Sequence, residues 1–343
     1  DRLRSRGLGD VYKRQIMDIA LASDNNYVQH MAVAIESVIQ NNVNENINFH
    51  IMNNGITGDN LIKIRHQIES RGKKVFFYDF SGLEDEVGFH SHSSVLPISA
   101  YSRIFLPPKL QVNVDRLIYM DVDMVCCGSL ADTYSINMEK NIIAAVQDFA
   151  NIKARISNGL DIEDRYINSG FMIIDVNKWL EQGITNKLHN YILERDGKVV
   201  QEDQGAINSV LRNQIKIIHP KYNAMTPFYF VTSKEIKERY NIPIYYSDKE
   251  LKEAKSNPVI IHYLKYNGFV NRPWEKNCVH PMKNKYQQYL AQTEWAGVKL
   301  LPDKRTFGKR IKDNYQLLCP WRIKKYITVS YTHLRAHETG AYL

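Results

Sequence analysis

The sequence predicts an α/β fold in which a mixed, mostly parallel sheet is flanked by helices. Short apolar segments of strand length alternate along the chain with segments whose apolar residues recur at helical spacing. Parallel strands need such crossover connections, so the alternation favours a mainly parallel sheet. The composition agrees, because 44% apolar and 24% charged residues among 343 are typical of a globular protein. No apolar run reaches the length of about 18 residues that a membrane-spanning helix needs.

The predicted strands are apolar segments that end in polar turns. The first, DIALA, is followed by a polar loop at 23–27, and the segment RLIYM runs directly into Asp121-Val122-Asp123. Ligands of open α/β sheets bind beyond the carboxyl ends of the strands, so both loops are expected near a binding site. The strands are expected at 18–22, 48–52, 74–79, 116–120, 141–148, 170–175 and 258–262.

The predicted helices show periodic apolar faces or clear boundary signals. Apolar residues at positions 28, 32, 35, 38 and 39 share one face of the first helix. A helix over 99–105 ends before Pro107-Pro108, and a helix over 199–212 begins near the acidic segment 201–203. Further helices are expected at 59–70 and 284–290.

The positive charge of the chain is concentrated at its two ends. Of the formal net charge of +8, residues 1–15 carry +3 and residues 302–327 carry +6, whereas residues 16–301 carry −1. A nucleic-acid-binding protein would carry basic charge on its folded face, so no nucleic-acid partner is expected. Residues 16–301 contain no repeat or low-complexity linker and are expected to form one domain.

The terminal segments differ from this domain. Residues 1–15 and 329–343 show no clear relation to their neighbours and are expected to be non-native. Residues 302–328 form a small basic extension that interleaves lysine and arginine with aromatic residues. Such a mixture suits an anionic membrane surface, although an ordinary solvated helix would show the same composition.

The sharpest chemical feature is the pair Asp121 and Asp123 at the end of an apolar strand. Residues i and i+2 of an extended chain point the same way, so the two carboxylates are expected to lie together. Such a pair repels itself unless a cation neutralises it, and hard divalent ions with oxygen ligands commonly bridge to substrate phosphates. The pattern therefore indicates a metal–diphosphate site, with solvated loop acids as the simple alternative.

A phosphohydrolase of the haloacid-dehalogenase type shares this pattern. Its strand is followed by D-x-D-x-[TV], which residues 121–125 satisfy, with Asp121 as nucleophile and Asp123 as general acid. However, that class usually places the motif on its first strand, and here several elements come before it. No later acidic pair convincingly follows a strand to complete that metal site.

Six segments in order resemble glycosyltransferase family 8, the retaining sugar transferases of GT-A fold. They are MDIALASDNNY, AYSRIFLP, LIYMDVDMV, YINSGFMIIDVNKW, EDQGAIN and RPWEKNCVHPMKNKYQQYLAQTEW, within about residues 17–297. The resemblance is greatest to bacterial galactosyl- and glucosyltransferases that build lipopolysaccharide or lipooligosaccharide. It implies a GT-A, Rossmann-like mixed sheet, mostly parallel, flanked by helices and followed by the basic C-terminal helical extension.

The resemblance also implies roles for individual residues. It makes Asp121, Asp123 and His262 ligands of a metal ion, with Mn²⁺ expected and Mg²⁺ as the substitute. Asp203 and Gln204 would lie nearest the anomeric carbon, and Asp148 would act near the donor or acceptor sugar. The residues expected to bind the UDP-sugar donor are Ala22, Asp24, Asn26, Tyr27, Arg103, Asp121, Val122, Asn168, Ser169, Gly268 and Arg272.

The chain departs from the family pattern after His262. The loop before Arg272-Pro273-Trp274 is four residues longer than usual, and Arg272 stands where the family has lysine. A guanidinium can bind a diphosphate bidentately but needs a different geometry from an ammonium. Lys265 is therefore an alternative diphosphate contact.

The implied reaction is transfer of a hexose, glucose or galactose, from a UDP-sugar to a glycan acceptor with retention of configuration. The acceptor would be lipopolysaccharide core or another lipid-linked saccharide. The implied location is the cytoplasm, peripheral on the inner face of the bacterial cytoplasmic membrane. Same-face attack is favoured over a covalent intermediate. A non-catalytic nucleotide-sugar-binding protein remains a further alternative.

Overall fold

The computed structural model describes residues 16–88, 98–266 and 270–311. Ten strands lie within these ranges. They are β1 Met17–Ser23, β2 Ile47–Asn53, β3 Lys74–Asp79, β4 Arg116–Met120, β5 Met124–Cys126, β6 Ile143–Gln147, β7 Ile167–Asp175, β8 Ile215–Ile217, β9 Ala224–Met225 and β10 Ile260–His262.

Twelve α-helices lie within the same ranges. They are α1 Val28–Asn41, α2 Gly58–Glu69, α3 Leu83–Val87, α4 Ser102–Phe105, α5 Ala131–Tyr134, α6 Ile152–Ser157, α7 Val176–Glu181, α8 Ile184–Leu193, α9 Glu202–Val210, α10 Ser233–Tyr240, α11 Asp248–Ser256 and α12 Lys283–Leu290. A 3₁₀ turn, Ile98–Tyr101, leads into α4.

The central sheet has seven strands in the order β3-β2-β1-β4-β7-β6-β8. Strand β7 runs antiparallel to β4 and β6, and the other neighbouring pairs are parallel. The prediction of a mixed, mostly parallel sheet is confirmed. Because β7 is antiparallel, its first residues lie beside the carboxyl end of β4, where the aspartate pair follows.

Helices cover both faces of this sheet. One buried cluster joins α1 and α2 to β1 residues such as Ile19 and Leu21, and the other joins α7, α8 and α9 to residues such as Ala20 and Met172. Burial on both faces explains why the sequences of the central strands are nearly continuous runs of apolar residues.

A second, three-stranded sheet has the order β5-β10-β9. Strand β10 pairs antiparallel with β5, and His262 lies opposite Met124. The Tyr263 amide also donates to the Asp123 carbonyl over 3.0 Å. This sheet was not predicted, and it is what fixes His262 beside the aspartate pair.

The predicted elements agree with the structure in type, and their ends move by a few residues. Strands β3 and β4 have the predicted bounds, whereas β7 begins three residues earlier than expected, and the helix expected over 199–212 is limited to α9. Helices α10 and α11 were not predicted, although Thr232 with Glu235 and Ser247 with Glu250 form capping boxes that signal their starts.

The expected domain boundaries fall partly outside the described residues. Residues 1–15, 312–328 and 329–343 lie outside them, whereas 302–311 lie within. The Leu301 amide donates to the Trp274 carbonyl over 2.8 Å, and Asn277 donates to Asp303 over 3.0 Å. None of the helices in the described ranges has the length and apolar character needed to cross a membrane.

The packing of β4 can be tested with matched isoleucine substitutions. Ile118 is fully buried, so we expect Ile118→Ala to lower the free energy of unfolding by about 2–5 kcal/mol through lost burial and a cavity. Ile62 on α2 is 67% exposed, so we expect Ile62→Ala to change it by less than about 0.5 kcal/mol. Urea unfolding followed by circular dichroism measures both. Equal effects would contradict the assigned burial of β4.

Candidate active site

A cavity of about 290 Å³ lies beyond the carboxyl end of β4, beside the start of β7 and the start of α9. Residues from six separate segments of the chain line it. Among the residues predicted from sequence, those that line it are Arg103, Asp121, Asp123, Asn168, Ser169, Asp203, Gln204, His262 and Arg272.

Asp121 and Asp123 lie at this cavity on the short turn between β4 and β5. The expectation of an extended chain there was wrong, because residues 122 and 123 form a turn. The pair is nevertheless brought together. One ligand atom each from Asp121, Asp123 and His262 lies within 4.8 Å of the others. The Asp121 amide donates to the Gly170 carbonyl over 2.8 Å, which ties the turn to β7.

Arg103 is held rigidly between the two acidic parts of the site. Its Nη2 donates to Asp121 Oδ1 over 2.9 Å, its Nη1 donates to the Ser169 carbonyl over 2.8 Å, and its Nε lies 3.3 Å from Asp203 Oδ2. The guanidinium also lies over the Tyr119 ring, 4.2 Å from its centroid. Burial alone would lower the Arg103 pKa, but Asp121 and Asp203 raise it above its ordinary value. The arginine is therefore a permanent cation that bridges two carboxylates.

Asp123 has a histidine and an arginine as its partners. His262 Nε2 lies 3.1 Å from Asp123 Oδ1, and Arg272 Nη2 lies 2.9 Å from Asp123 Oδ2. Burial would raise the pKa of this carboxyl group, but His262 and Arg272 hold it well below its usual range. Asp123 is therefore ionised at neutral pH and is available as an oxygen ligand.

A chain of hydrogen bonds determines which nitrogen of His262 faces the aspartates. Asp148 Oδ2 accepts from Asn168 Nδ2 over 3.1 Å, so Asn168 Oδ1 is the atom that accepts from Asn223 Nδ2 over 2.8 Å. Asn223 therefore presents its Oδ1 to His262 Nδ1 at 3.1 Å, and this contact requires the hydrogen on Nδ1. In the neutral ring, Nε2 then carries the lone pair that a metal ion needs. Two carboxylates and this nitrogen are a suitable donor set for Mn²⁺ or a similar divalent ion.

Gly170 leaves the space in which the three ligands meet. A β-carbon at this position would lie 2.6 Å from Asp121 Oδ2, 2.8 Å from His262 Cε1 and 2.9 Å from Met124 Cε. These distances are too short for any larger residue without displacing the ligands. Close approach of side chains therefore requires glycine here.

Asp203 and Gln204 occupy the first turn of α9 on the opposite side of the cavity. Ser169 Oγ donates to Asp203 Oδ2 over 3.0 Å, and Gln204 Oε1 accepts from the Ser169 amide over 3.1 Å. Burial raises the pKa of Asp203, and Arg103 opposes that shift. Both side chains are thus fixed by β7 and face the same cavity as the aspartate pair.

Asp148 does not line the cavity. It is buried behind Gln204, whose Nε2 donates to Asp148 Oδ2 over 2.9 Å, and it also accepts from Asn168. Asp148 therefore anchors the amide side chains of Gln204 and Asn168 and lies behind them, outside the space that a substrate could fill.

The loop between β1 and α1 lies at the rim. Asp24 Oδ1 accepts from the Tyr27 amide over 2.9 Å, and Asn26 Nδ2 lies 3.4 Å from Asp24 Oδ2. The Tyr27 ring is 39% exposed, and its hydroxyl accepts from Arg272 Nη1 over 3.2 Å. Only this arginine joins the loop to the cavity through a hydrogen bond among the described residues. Ala22 packs against the sheet core.

Three further expectations concern residues away from the ligand atoms. Val122 packs against the main core cluster. Gly268 lies outside the described residues. Lys265 pairs with Glu275 over 3.1 Å and is not among the residues that line the cavity.

Several residues of this site were not predicted, among them Gly170 as a spacer, Asn223 as the partner of His262, and Gln201 at the cavity wall. Gln201 and Glu202 have positive φ angles of 60° and 52°, an uncommon conformation for residues other than glycine. Asn223 has no local sequence signal, because only the fold brings it to His262.

The role of Gly170 can be tested by a single methyl group. We expect Gly170→Ala to weaken Mn²⁺ binding by about tenfold or more, because the new methyl group displaces Asp121 and His262. Gly58→Ala is the matched control, since nothing lies within 4 Å of its added β-carbon. Titration of Mn²⁺ with detection of the free ion by electron paramagnetic resonance measures both. Unchanged Mn²⁺ binding by Gly170→Ala would contradict the assignment of Asp121 and His262 as metal ligands.

The chain has relatives among known proteins, both in sequence and in structure. The chain is 28% identical to general stress protein A of Bacillus subtilis over 82% of this chain and 96% of that protein. It is 23% identical to a lipopolysaccharide 1,2-glucosyltransferase of Escherichia coli K12, over 84% of this chain and 81% of that protein. A solved galactosyltransferase, LgtC, in complex with donor and acceptor sugar analogues superposes with a TM-score of 0.66 at 22% identity, covering 81% of this chain and 96% of that one.

The structural similarity to LgtC shows the shared fold, which confirms the predicted GT-A arrangement. The family model for glycosyl transferase family 8 matches residues 18–278, which include every described residue discussed at the cavity. The phosphohydrolase alternative is thereby set aside. The chain belongs to glycosyltransferase family 8.

Proposed function

We propose that the protein is a metal-dependent, retaining hexosyltransferase that moves glucose or galactose from a UDP-sugar to a glycan acceptor. The observation that carries this proposal is the convergence of Asp121, Asp123 and His262 on one side of a cavity whose other side holds Asp203 and Gln204. A site for a charged diphosphate and a site for a sugar are thus adjacent.

The metal ligands would be Asp121, Asp123 and His262, with Mn²⁺ as the expected ion and Mg²⁺ as the substitute. When bound, the ion would stabilise the charge that develops on the departing diphosphate. Arg272 would contribute a second positive charge to the same diphosphate, because its guanidinium lies at the cavity wall. Lys265 is the less favoured contact, since it pairs with Glu275 instead.

The nucleoside would lie along the loop at 22–27. Tyr27 is exposed at the rim and is suited to stack on a base, whereas Asp24 and Asn26 offer polar groups for base or ribose. Ala22 and Val122 would contribute backbone or apolar contact, because both side chains pack against the core. Gly268 is retained from the sequence resemblance alone.

The sugar would lie between Arg103, Asn168 and Ser169 on one side and α9 on the other. Asp203 and Gln204 would face the anomeric carbon and stabilise its developing positive charge. Both are held by hydrogen bonds from β7, so little reorganisation would be required. We favour same-face attack, in which the leaving diphosphate accepts the proton of the acceptor hydroxyl. Asp148 would act through Asn168 and Gln204 rather than by touching the sugar.

The acceptor would be a lipopolysaccharide core or another lipid-linked saccharide. Support comes from the relative named as a lipopolysaccharide 1,2-glucosyltransferase. The enzyme would work in the cytoplasm at the inner face of the cytoplasmic membrane. The basic and aromatic residues of 302–328 would attach it to anionic lipid, and Phe307 at 71% exposure and Ile311 at 56% offer apolar contact.

The metal site can be tested by conservative amide substitutions. We expect Asp121→Asn and Asp123→Asn each to lower Mn²⁺-dependent UDP release from UDP-glucose or UDP-galactose by about a hundredfold or more, because each removes an anionic ligand. Asp132→Asn, at an exposed position in α5, is the control and should retain full rate. Wild-type rates in both aspartate variants would eliminate the metal-site proposal. Binding of UDP-sugar without any UDP release or sugar transfer would favour a non-catalytic binder.

The membrane proposal can be tested by truncation after Ile311, which retains all described residues. We expect the shortened chain to sediment less with vesicles that contain anionic phospholipid, since five lysine or arginine side chains beyond 311 are removed. UDP release should be retained. Vesicles of phosphatidylcholine alone provide the control. Equal sedimentation of both chains with anionic vesicles would refute attachment through the residues beyond 311.

A further inference from the structure

The two arginines of the site are held very differently. Arg103 is 7% exposed and donates to the Ala100 carbonyl, to Ser169 and to Asp121. The Arg272 side chain is 20% exposed and makes two polar contacts, with Asp123 and Tyr27, and its Nε has no hydrogen-bond partner in the described part of the chain. Arg272 is therefore the cation that can leave its carboxylate at a lower cost than Arg103 can.

Only the side chain of Arg272 would need to move. Its amide lies 3.2 Å from Glu275 Oε2, and its carbonyl accepts from the Glu275 amide over 2.9 Å, so the backbone is anchored. The guanidinium lies 5.4 Å from the centroid of the Trp274 ring, and this contact does not fix it by hydrogen bonds. A rotation of side-chain torsions is thus sufficient to release Asp123.

We propose that Arg272 is an exchangeable counter-ion of Asp123: it occupies this metal ligand in the ligand-free protein, and it moves to the diphosphate when metal and nucleotide bind together. The inference rests on the proposed metal site. A metal ion that binds alone must break the Asp123–Arg272 ion pair, and the guanidinium is then left without an anionic partner. A nucleoside diphosphate supplies that anion. Metal and nucleotide therefore favour each other's binding through Arg272, and the coupling is reciprocal.

Tyr27 links this exchange to the nucleotide loop. Its hydroxyl accepts from Arg272 Nη1 over 3.2 Å, while Nη2 of the same guanidinium holds Asp123. The Arg272 guanidinium thus connects Tyr27, which is proposed to stack on the base, to Asp123, a proposed metal ligand. A base that stacks on Tyr27 would therefore lie next to the guanidinium that leaves Asp123.

The test is Mn²⁺ binding to the whole chain in the absence of any sugar. We expect Arg272→Met to bind Mn²⁺ alone about tenfold more tightly than wild type, and to show a correspondingly smaller gain when UDP is added. Lys265→Met is the matched control, because it removes an equal charge from a neighbouring residue that pairs with Glu275 rather than with Asp123. Free Mn²⁺ is measured by electron paramagnetic resonance, with correction for the Mn²⁺–UDP complex in solution.

A second variant keeps the charge and loosens the arginine. Tyr27→Phe removes the hydroxyl that holds Nη1, so we expect Mn²⁺ alone to bind about threefold more tightly. This variant decides the question if Arg272→Met does not fold.

The outcomes separate this inference from the proposed function. If wild type binds Mn²⁺ with UDP, but Arg272→Met binds Mn²⁺ alone no more tightly than Lys265→Met, the exchange is overturned and the metal site stands. If the wild-type chain binds no Mn²⁺ even with UDP, the metal site itself is overturned.

Discussion

The organisation of this site follows from the repulsion among three carboxylates that share one cavity. Asp121, Asp123 and Asp203 all line it, and Asp123 and Asp203 are almost fully buried. Two like charges 4 Å apart at an effective dielectric constant of 20 repel each other by about 4 kcal/mol, so such a group needs positive partners. Arg103 joins Asp121 to Asp203, whereas Arg272 forms an ion pair with Asp123 and His262 lies beside the same carboxylate. In the site that the proposed metal ion would enter, the positive charge of Arg103 is fixed, whereas that of Arg272 is exchangeable.

The fold produces this convergence through one antiparallel strand and one small sheet. Because β7 runs opposite to β4, Asn168, Ser169 and Gly170 lie beside the turn that carries the aspartates rather than at the far edge of the sheet. The sheet β5-β10-β9 then places His262 next to the same turn, and the Asp148–Asn168–Asn223 chain orients its ring. Strands β4, β7 and β10 and helix α9 therefore support much of the cavity, which helps to keep a binding geometry fixed.

Much of the fold was predictable because its central strands are buried on both faces and end in polar turns. Local chain order also placed Asp121, Asp123, Asp203 and Gln204 at element ends, where they meet. The resemblance supplied His262, and no local pattern identifies its partner Asn223.

The extended geometry expected for the aspartate pair was wrong, since a turn between β4 and β5 is needed to lead the chain into the second sheet. Asp148 was expected at the substrate, but it anchors side chains from behind, a distinction that depends on packing depth rather than sequence. The antiparallel direction of β7 likewise depends on tertiary contacts.

The central claim is that a divalent ion joins the aspartate–histidine group to a nucleoside diphosphate. Pulsed electron paramagnetic resonance of the chain with Mn²⁺ and UDP tests it most directly. We expect one Mn²⁺ signal to show hyperfine coupling both to ³¹P of the diphosphate and to the imidazole nitrogen of His262, with the nitrogen coupling lost in His262→Ala. Phosphorus coupling with no nitrogen coupling from His262 would contradict it, because the ion would then be held elsewhere.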